Sequence, residues 1–313
     1  MTKVKRAASH DRMAGTTKFH EVYANGILLA PYVLLFSLFI AIPVAVAVVL
    51  SFTDFNAVQL PGYVGLKNYV DLFTNDEPFM RHVVPNTVLF ALVTGLGGYF
   101  LCFILAWSIA QISKVPRMIL AVIIYSPSLT SGAILAYIWR VFFAGDGGGY
   151  FNYVLMQLNI ITEPRVWLQD PTTLMPAMLF VTLWSSMGIG FLAILAGILN
   201  SNMELYDAAY IDGVQNRWQE IFYVTIPSIR PQMLFGAVMS IVGMIQAGDI
   251  GVLLSGYNPP PGYAGSLVLT HISEIGFIRF EIGYAAAVSV VLLLFIRLVS
   301  VGANKLFGSH RDE

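Results

Sequence analysis

Six nearly uncharged runs, each about twenty residues or longer, constrain this chain more than any other feature: 27–51, 84–110, 118–142, 173–199, 233–254 and 283–301. A helix of roughly twenty apolar residues crosses the hydrocarbon core of a bilayer, so the runs predict an all-α integral membrane fold with six transmembrane helices. Charged residues make up only 11% of the chain, against about 25% in soluble domains. The first run is too long for the apolar part of a leader peptide and follows a polar segment without a small-residue cleavage site, so it is expected to be retained.

Lysine and arginine counts orient the spans. The N-terminal segment, the second and fourth connections and the tail together hold eleven of the seventeen, and the other side holds five. Arg297 lies late in the last run, where it can snorkel. Both termini are therefore expected in the cytoplasm. The chain divides into an N-terminal cytoplasmic segment 1–26, one six-span domain 27–304 that contains the cytoplasmic connection 202–231, and a cytoplasmic tail 305–313. The outer connections, rich in aromatic, Pro and Gly residues, read as ordered caps.

Several chemistries are excluded. A net charge of −1 gives no basic face to neutralise a phosphate backbone, so nucleic acid is not a partner. Cys102, the single cysteine, permits no intrachain disulfide framework or cysteine metal cluster and reads as a small core residue. The five histidines are scattered without metal-ligand spacing, and no Ser, His and carboxylate set suggests hydrolysis. No phosphate-cradling G-x-x-x-x-G-K-[ST] occurs, so any ATP used must be held by another chain.

The 202–231 connection is far longer than a tight turn needs. Met203 to Ile211 contains good helix formers ahead of Gly213, which suits the left-handed conformation that ends a helix. From Arg217 to Thr225, the residues Trp218, Ile221, Phe222 and Thr225 recur at i, i+3, i+4 and i+7. Pro227 is expected to stop this second helix. An aromatic face outside the membrane either packs on the underside of its own bundle or fills a groove in a partner. The pattern alone leaves both open.

Tyr206-Asp207-Ala208-Ala209-Tyr210-Ile211-Asp212-Gly213-Val214, followed by Thr225-Ile226-Pro227, resembles the EAA…DGA…ITLP coupling motif of permease subunits of binding-protein-dependent ABC importers. Further matches resemble the carbohydrate branch of that family, of the maltose and glycerol-phosphate type. They are Gly65-Leu66-Lys67-Asn68-Tyr69, Asn86-Thr87, Trp167-Leu168 and Gly283-Tyr284-Ala285-Ala286-Ala287. Asp207 stands where the family usually has Glu, and Ser255 to Pro261 replaces its usual Thr-x-Gly-Gly-Pro.

The resemblance implies a type I ABC importer permease fold, without catalysis or a cofactor in this chain, in a bacterial or archaeal cytoplasmic membrane. It implies a second homologous permease, two cytoplasmic ATP-binding subunits that hold ATP and Mg, an extracytoplasmic solute-binding protein and surrounding membrane lipid. The implied coupling residues are Asp207, Ala208, Ala209, Asp212, Gly213, Arg217, Trp218, Phe222 and Pro227. Trp218 and Phe222 would anchor the ATPase interface, while Asp207, Asp212 and Arg217 would fix the hinge or partner contacts.

Polar side chains within spans are costly in lipid and face a bundle interior or a water-filled path, although Ser and Thr also bond their own helix or glue neighbours. Thr182, Ser185 and Ser186 share a face of the fourth run with Trp184 nearby. Met239, Gly243, Gln246 and Asp249 form a stripe on the fifth. Hydroxyls, an amide and an aromatic plate suit a sugar, and the family's solute contacts fall in the same stretches. The candidate solute residues are thus Thr182, Trp184, Ser185, Ser186, Gly243, Gln246 and Asp249. Pro127 in the third run is expected to kink that helix. The competing readings are a permease for another polar solute, such as glycerol phosphate or a polyamine, and an ion-coupled secondary transporter working through Asp249.

Overall fold

The computed structural model describes residues 28–245 and 247–307, and nearly every described apolar run is helical. Among the described residues the β-structure is a lone bridge between Thr53 and Tyr63. Three continuous helices are long and apolar enough to cross a membrane: α1 (Leu28–Leu50), α3 (Phe79–Ala110) and the apolar stretch Ile282–Gly302. A short helix α2 (Lys67–Thr74) lies between the first two.

The third and fourth runs are not continuous helices. The third is split into α4 (Lys114–Leu129) and α5 (Gly132–Phe142), which meet at 99°. Pro127 sits in the tightened last turn of α4, and Thr130 and Ser131 adopt extended backbone, so the expected kink is a full break. The fourth becomes α7 (Pro171–Ser185) and α8 (Ile189–Leu199), bent by 41° across Gly188; α6 (Tyr150–Gln157) precedes them. The fifth run is interrupted as well. Helix α11 (Arg230–Ile245) stops, and α12 (Ile250–Ser255) begins beyond Asp249. Helices α13 (Val268–Ile278) and α14 (Ile282–Phe307) complete the chain.

The second span begins at Phe79, ahead of the apolar run 84–110, and Pro85 lies inside it. A wide i→i+5 turn over Phe79–Val83 leads into it; such turns relieve the hydrogen bond and space that a proline denies a regular α-helix. Pro227 behaves alike: the wide turn Ile221–Thr225 precedes it, so the helix continues to Ser228 instead of stopping there.

Two of the three buried clusters among the described residues join the broken spans to the rest of the bundle. Phe103, Ala106, Phe191, Ile194 and Leu195 join α3 to α8 with Cys102, which is buried as expected. Phe90, Leu135, Met178, Val181 and Leu254 unite α3, α5, α7 and α12. The helix backbones approach closely where Gly98 of α3 faces Ser186; a Cβ at residue 98 would lie 2.8 Å from the Ser186 hydroxyl oxygen.

Candidate functional site

Three polar places stand out, beginning with the 202–231 connection at one end of the bundle. Helix α9 (Met203–Ile211) is capped by Asn202, whose side chain accepts the Glu204 N–H at 3.0 Å. The chain then reverses at Gly213, with φ +95°, as its placement predicts. Helix α10 (217–228) is capped by Asn216, which accepts the Gln219 N–H at 2.9 Å. The clasp between the two helices is Glu220, a buried carboxylate. It accepts the Tyr210 hydroxyl at 2.9 Å and Arg217 at 2.7 Å, and the bond to Glu220 holds the Tyr210 phenol above its ordinary range. Sequence reasoning missed Glu220, although its i, i+3 spacing from Arg217 was legible.

The face is divided: one side of α10 packs on its own bundle and the other is exposed. Ile221, Val224 and Thr225 are buried, with Ile221 packed into the α3–α8 cluster. Trp218, Phe222 and Tyr223 are 72%, 62% and 73% exposed. Trp218 and Phe222 lie on the outer edge of the apolar stripe, and Ile221 and Thr225 on its inner edge. Asp207, Ala208 and Asp212 are exposed, and Ala209 is half-buried.

The second place is a cavity of about 360 Å³ at the breaks in the third and fourth runs. Tyr99, Tyr125, Ser128, Ser186 and Ser240 line it, and no charged side chain does among the described residues. Of the solute candidates, Ser186 borders this cavity, although its hydroxyl donates to the Leu183 carbonyl at 2.8 Å. Ser185 donates to the Thr182 carbonyl at 3.2 Å. Trp184 lies apart, set edge-on against Trp139 with centroids 5.5 Å apart. Gly243 is exposed with open space around it, and Asp249 is exposed just ahead of α12. Gln246 lies outside the described residues.

The third place is the cap at the other end. Asn152 is fully buried. Its Nδ2 lies within 3.1 Å of the carbonyls of Ala144, Asp146 and Arg165, while its Oδ1 accepts the Arg165 N–H and the Trp167 indole N–H. Asn68 donates to the Ser51 and Thr53 carbonyls. Gly283 is needed where the last span meets this loop, since a Cβ there would sit 2.1 Å from the Thr53 carbonyl oxygen.

Nearby, Asp76 takes the His271 Nε2 at 2.9 Å and the Tyr284 hydroxyl at 2.8 Å on one carboxylate oxygen, and the Phe79 N–H on the other. The carboxylate only accepts, so Nε2 carries the proton. Burial pushes the Asp76 carboxyl upward, but bonds from His271, Phe79 and Tyr284 together pull it below its ordinary 3.8. A carboxyl lowered in the folded state contributes stability above its unfolded pKa and loses it as pH falls through the folded value. The complex is therefore expected to lose thermal stability below about pH 4, with a shallower acid limb in Asp76→Asn. Identical acid limbs in melting curves would refute the assignment.

Residues 14–308 match the family described as binding-protein-dependent transport system inner membrane component. The arabinooligosaccharides transport system permease protein AraP of Bacillus subtilis (strain 168) is 30% identical over 287 residues, covering 91% of this chain and 88% of that one. The lactose transport system permease protein LacF of Rhizobium radiobacter is 28% identical, covering 88% and 91%. In fold, the chain is similar to a crystal structure of a bacterial ABC transporter involved in the import of the acidic polysaccharide alginate. The TM-score is 0.79 at 22% identity, over 95% of this chain and 99% of that one. A second structure, of the alginate transporter in complex with an alginate pentasaccharide-bound periplasmic protein, gives 0.80 at 23% identity, over 93% and 96%. With a match across nearly its whole length, this multi-pass membrane chain belongs to the binding-protein-dependent transport system inner membrane component family.

Proposed function

We propose that this chain is one permease half of an ATP-driven importer that carries a neutral saccharide across the cytoplasmic membrane by alternating access. The observation that carries the reading is the clasped helix pair α9–α10, with Trp218, Phe222 and Tyr223 turned outward. Such a pair seats in a partner's groove through its aromatic anchors and transmits force through its buried side. In this reading the chain crosses the membrane six times with both termini in the cytoplasm. The α9–α10 end faces two ATP-binding subunits, which hold ATP and Mg. The opposite end faces an extracytoplasmic solute-binding protein, and a second permease completes the path. Asp207, Ala208, Ala209, Asp212, Gly213, Arg217 and Pro227 shape the coupling surface.

The hydroxyl-rich, uncharged lining of the 360 Å³ cavity supports a neutral solute. A phosphate ester calls for a basic residue and a polyamine for several carboxylates. Thr182, Ser185, Ser186, Gly243 and Gln246 are assigned to the solute path, with Asp249 at its outer mouth; the arrangement gives Trp184 a supporting role through Trp139. The test is uptake by the complete complex in proteoliposomes with its binding protein outside. Neutral oligosaccharide should accumulate on ATP addition and uronate oligosaccharide should not; preferential uronate uptake, or no saccharide uptake, would reject the reading.

Truncation of the anchors gives a further expectation. Trp218→Ala or Phe222→Ala should cost on the order of 2 kcal/mol at the ATPase interface, weakening association roughly 30-fold. Titration of the ATPase onto the permease pair measures this directly, and unchanged affinity in both variants would assign the aromatics elsewhere.

A further inference from the structure

Beside the contact of Ile221 with the bundle, a cavity of about 460 Å³ lies between the helix pair α9–α10 and the adjoining bundle helices. One wall is the end of α3 and the start of α4, with Trp107, Gln111 and Arg117; the other carries Tyr206, Asp207 and Tyr210. The indole N–H of Trp107 is buried without a hydrogen-bond partner, and orphaned buried donors are rare enough to need a reason. Arg117 is also largely unspent, its nearest acceptor being the Ala110 carbonyl at 3.4 Å. Arg217, which lines the same space, is closed onto Glu220.

The charges select the class of occupant. With Arg217 and Glu220 neutralising each other, Arg117 and Asp207 are left as one cation and one anion, so the space favours neither phosphate nor a polyamine. Its walls are too polar for a hydrocarbon. What fits is a neutral molecule whose groups both donate and accept, since it can accept from the Trp107 indole and Arg117 while donating to Asp207. The volume is within the range of small-molecule sites. A polyhydroxylated saccharide meets each condition.

We infer that this cavity is a product site, where saccharide delivered to the cytoplasm binds between α9–α10 and the bundle and restrains import. The inference rests on the proposed function, which puts this end in the cytoplasm. A ligand touching both walls ties the force-bearing helix pair to α3 and α4. It therefore opposes any movement of the pair relative to the bundle, and the brake tightens as product accumulates. The Trp218, Phe222 and Tyr223 face lies on the exposed side of α10, so occupancy need not displace the ATPase.

The test uses the whole complex, with binding protein, in nanodiscs and in proteoliposomes, and lactose and arabinotriose as probes on the ATPase side. Trp107→Phe removes the indole N–H while keeping a ring, and Gln111→Leu removes an amide. The expected result is inhibition of ATPase activity by millimolar probe, with the half-inhibiting concentration raised about tenfold in each variant and uninhibited activity unchanged. No inhibition of the wild type by either probe up to about 100 mM, or equal inhibition of wild type and both variants, would overturn the site. Uptake from the outside is measured in parallel. Uptake without variant-sensitive inhibition rejects only this inference, and variant-sensitive inhibition without uptake rejects the import reading while the site stands.

Discussion

Asn152→Ala is expected to lower the melting temperature of the complex by about 10 °C and to reduce the yield of assembled complex sharply. The side chain is fully buried and joins three segments of the cap, residues 144–146, 152 and 165–167. Each bond lost contributes roughly 1 kcal/mol, and a buried N–H left without an acceptor costs about 1–3 kcal/mol more. Two part-buried donors, the Arg165 N–H and the Trp167 indole, would lose their acceptor. A loss of about 3 kcal/mol or more corresponds to a shift of this size in a chain of a few hundred residues. Differential scanning fluorimetry of the purified complex checks it, with exposed Asn75→Ala as the control. A melting point equal to wild type would mean that the cap is held by its aromatic packing alone.

Gly213→Val has a different signature: assembly survives and coupling does not. At φ +95° a β-branched residue is strained by about 1–3 kcal/mol, yet no neighbour lies within 4 Å of where its Cβ would sit. The penalty is conformational, with no clash to propagate. The chain relieves it by rotating out of the left-handed region, which swings α9 against α10 and pulls Tyr210 off Glu220. Transport-stimulated ATPase activity should fall more than tenfold, the equivalent of about 1.4 kcal/mol, while permease and ATPase still copurify. Gly213→Asn, which tolerates positive φ better, should retain most activity. Equal activity in the Val variant and wild type would remove the backbone reversal from the coupling mechanism.

What could be read from the chain beforehand divides along a physical line. Gly213 was legible because a left-handed turn after a helix is a local demand. The apolar runs were legible because solvation sums over neighbours in sequence. A sum of that kind cannot register a break whose halves both stay apolar: Pro127 announced a kink in the third run, but not the 99° angle after Leu129. The breaks at Gly188 and Asp249 escaped for the same reason. Asn152 and the set of Asp76, His271 and Tyr284 were invisible on other grounds. His271 and Tyr284 lie 195 and 208 residues from Asp76, and nothing in any one segment announces that pairing. The separation of Phe222 from Ile221 depends on which edge of one apolar stripe meets the bundle, and that is set by tertiary packing.

Helix α1 has no buried residue anywhere along its apolar window, and that shapes how its sequence can drift. Residues such as Phe191 and Ile194, enclosed on every side, are held to one shape because a lost methylene leaves a hole. Within this chain, α1 is held mainly to being oily. A saturation scan should therefore find Leu, Ile, Val and Phe nearly interchangeable across residues 28–50 while charged substitutions are rejected. Along α8 the same exchanges should be sorted by volume. Fitness at the rim would then follow a transfer scale, and fitness in the core would follow a lock.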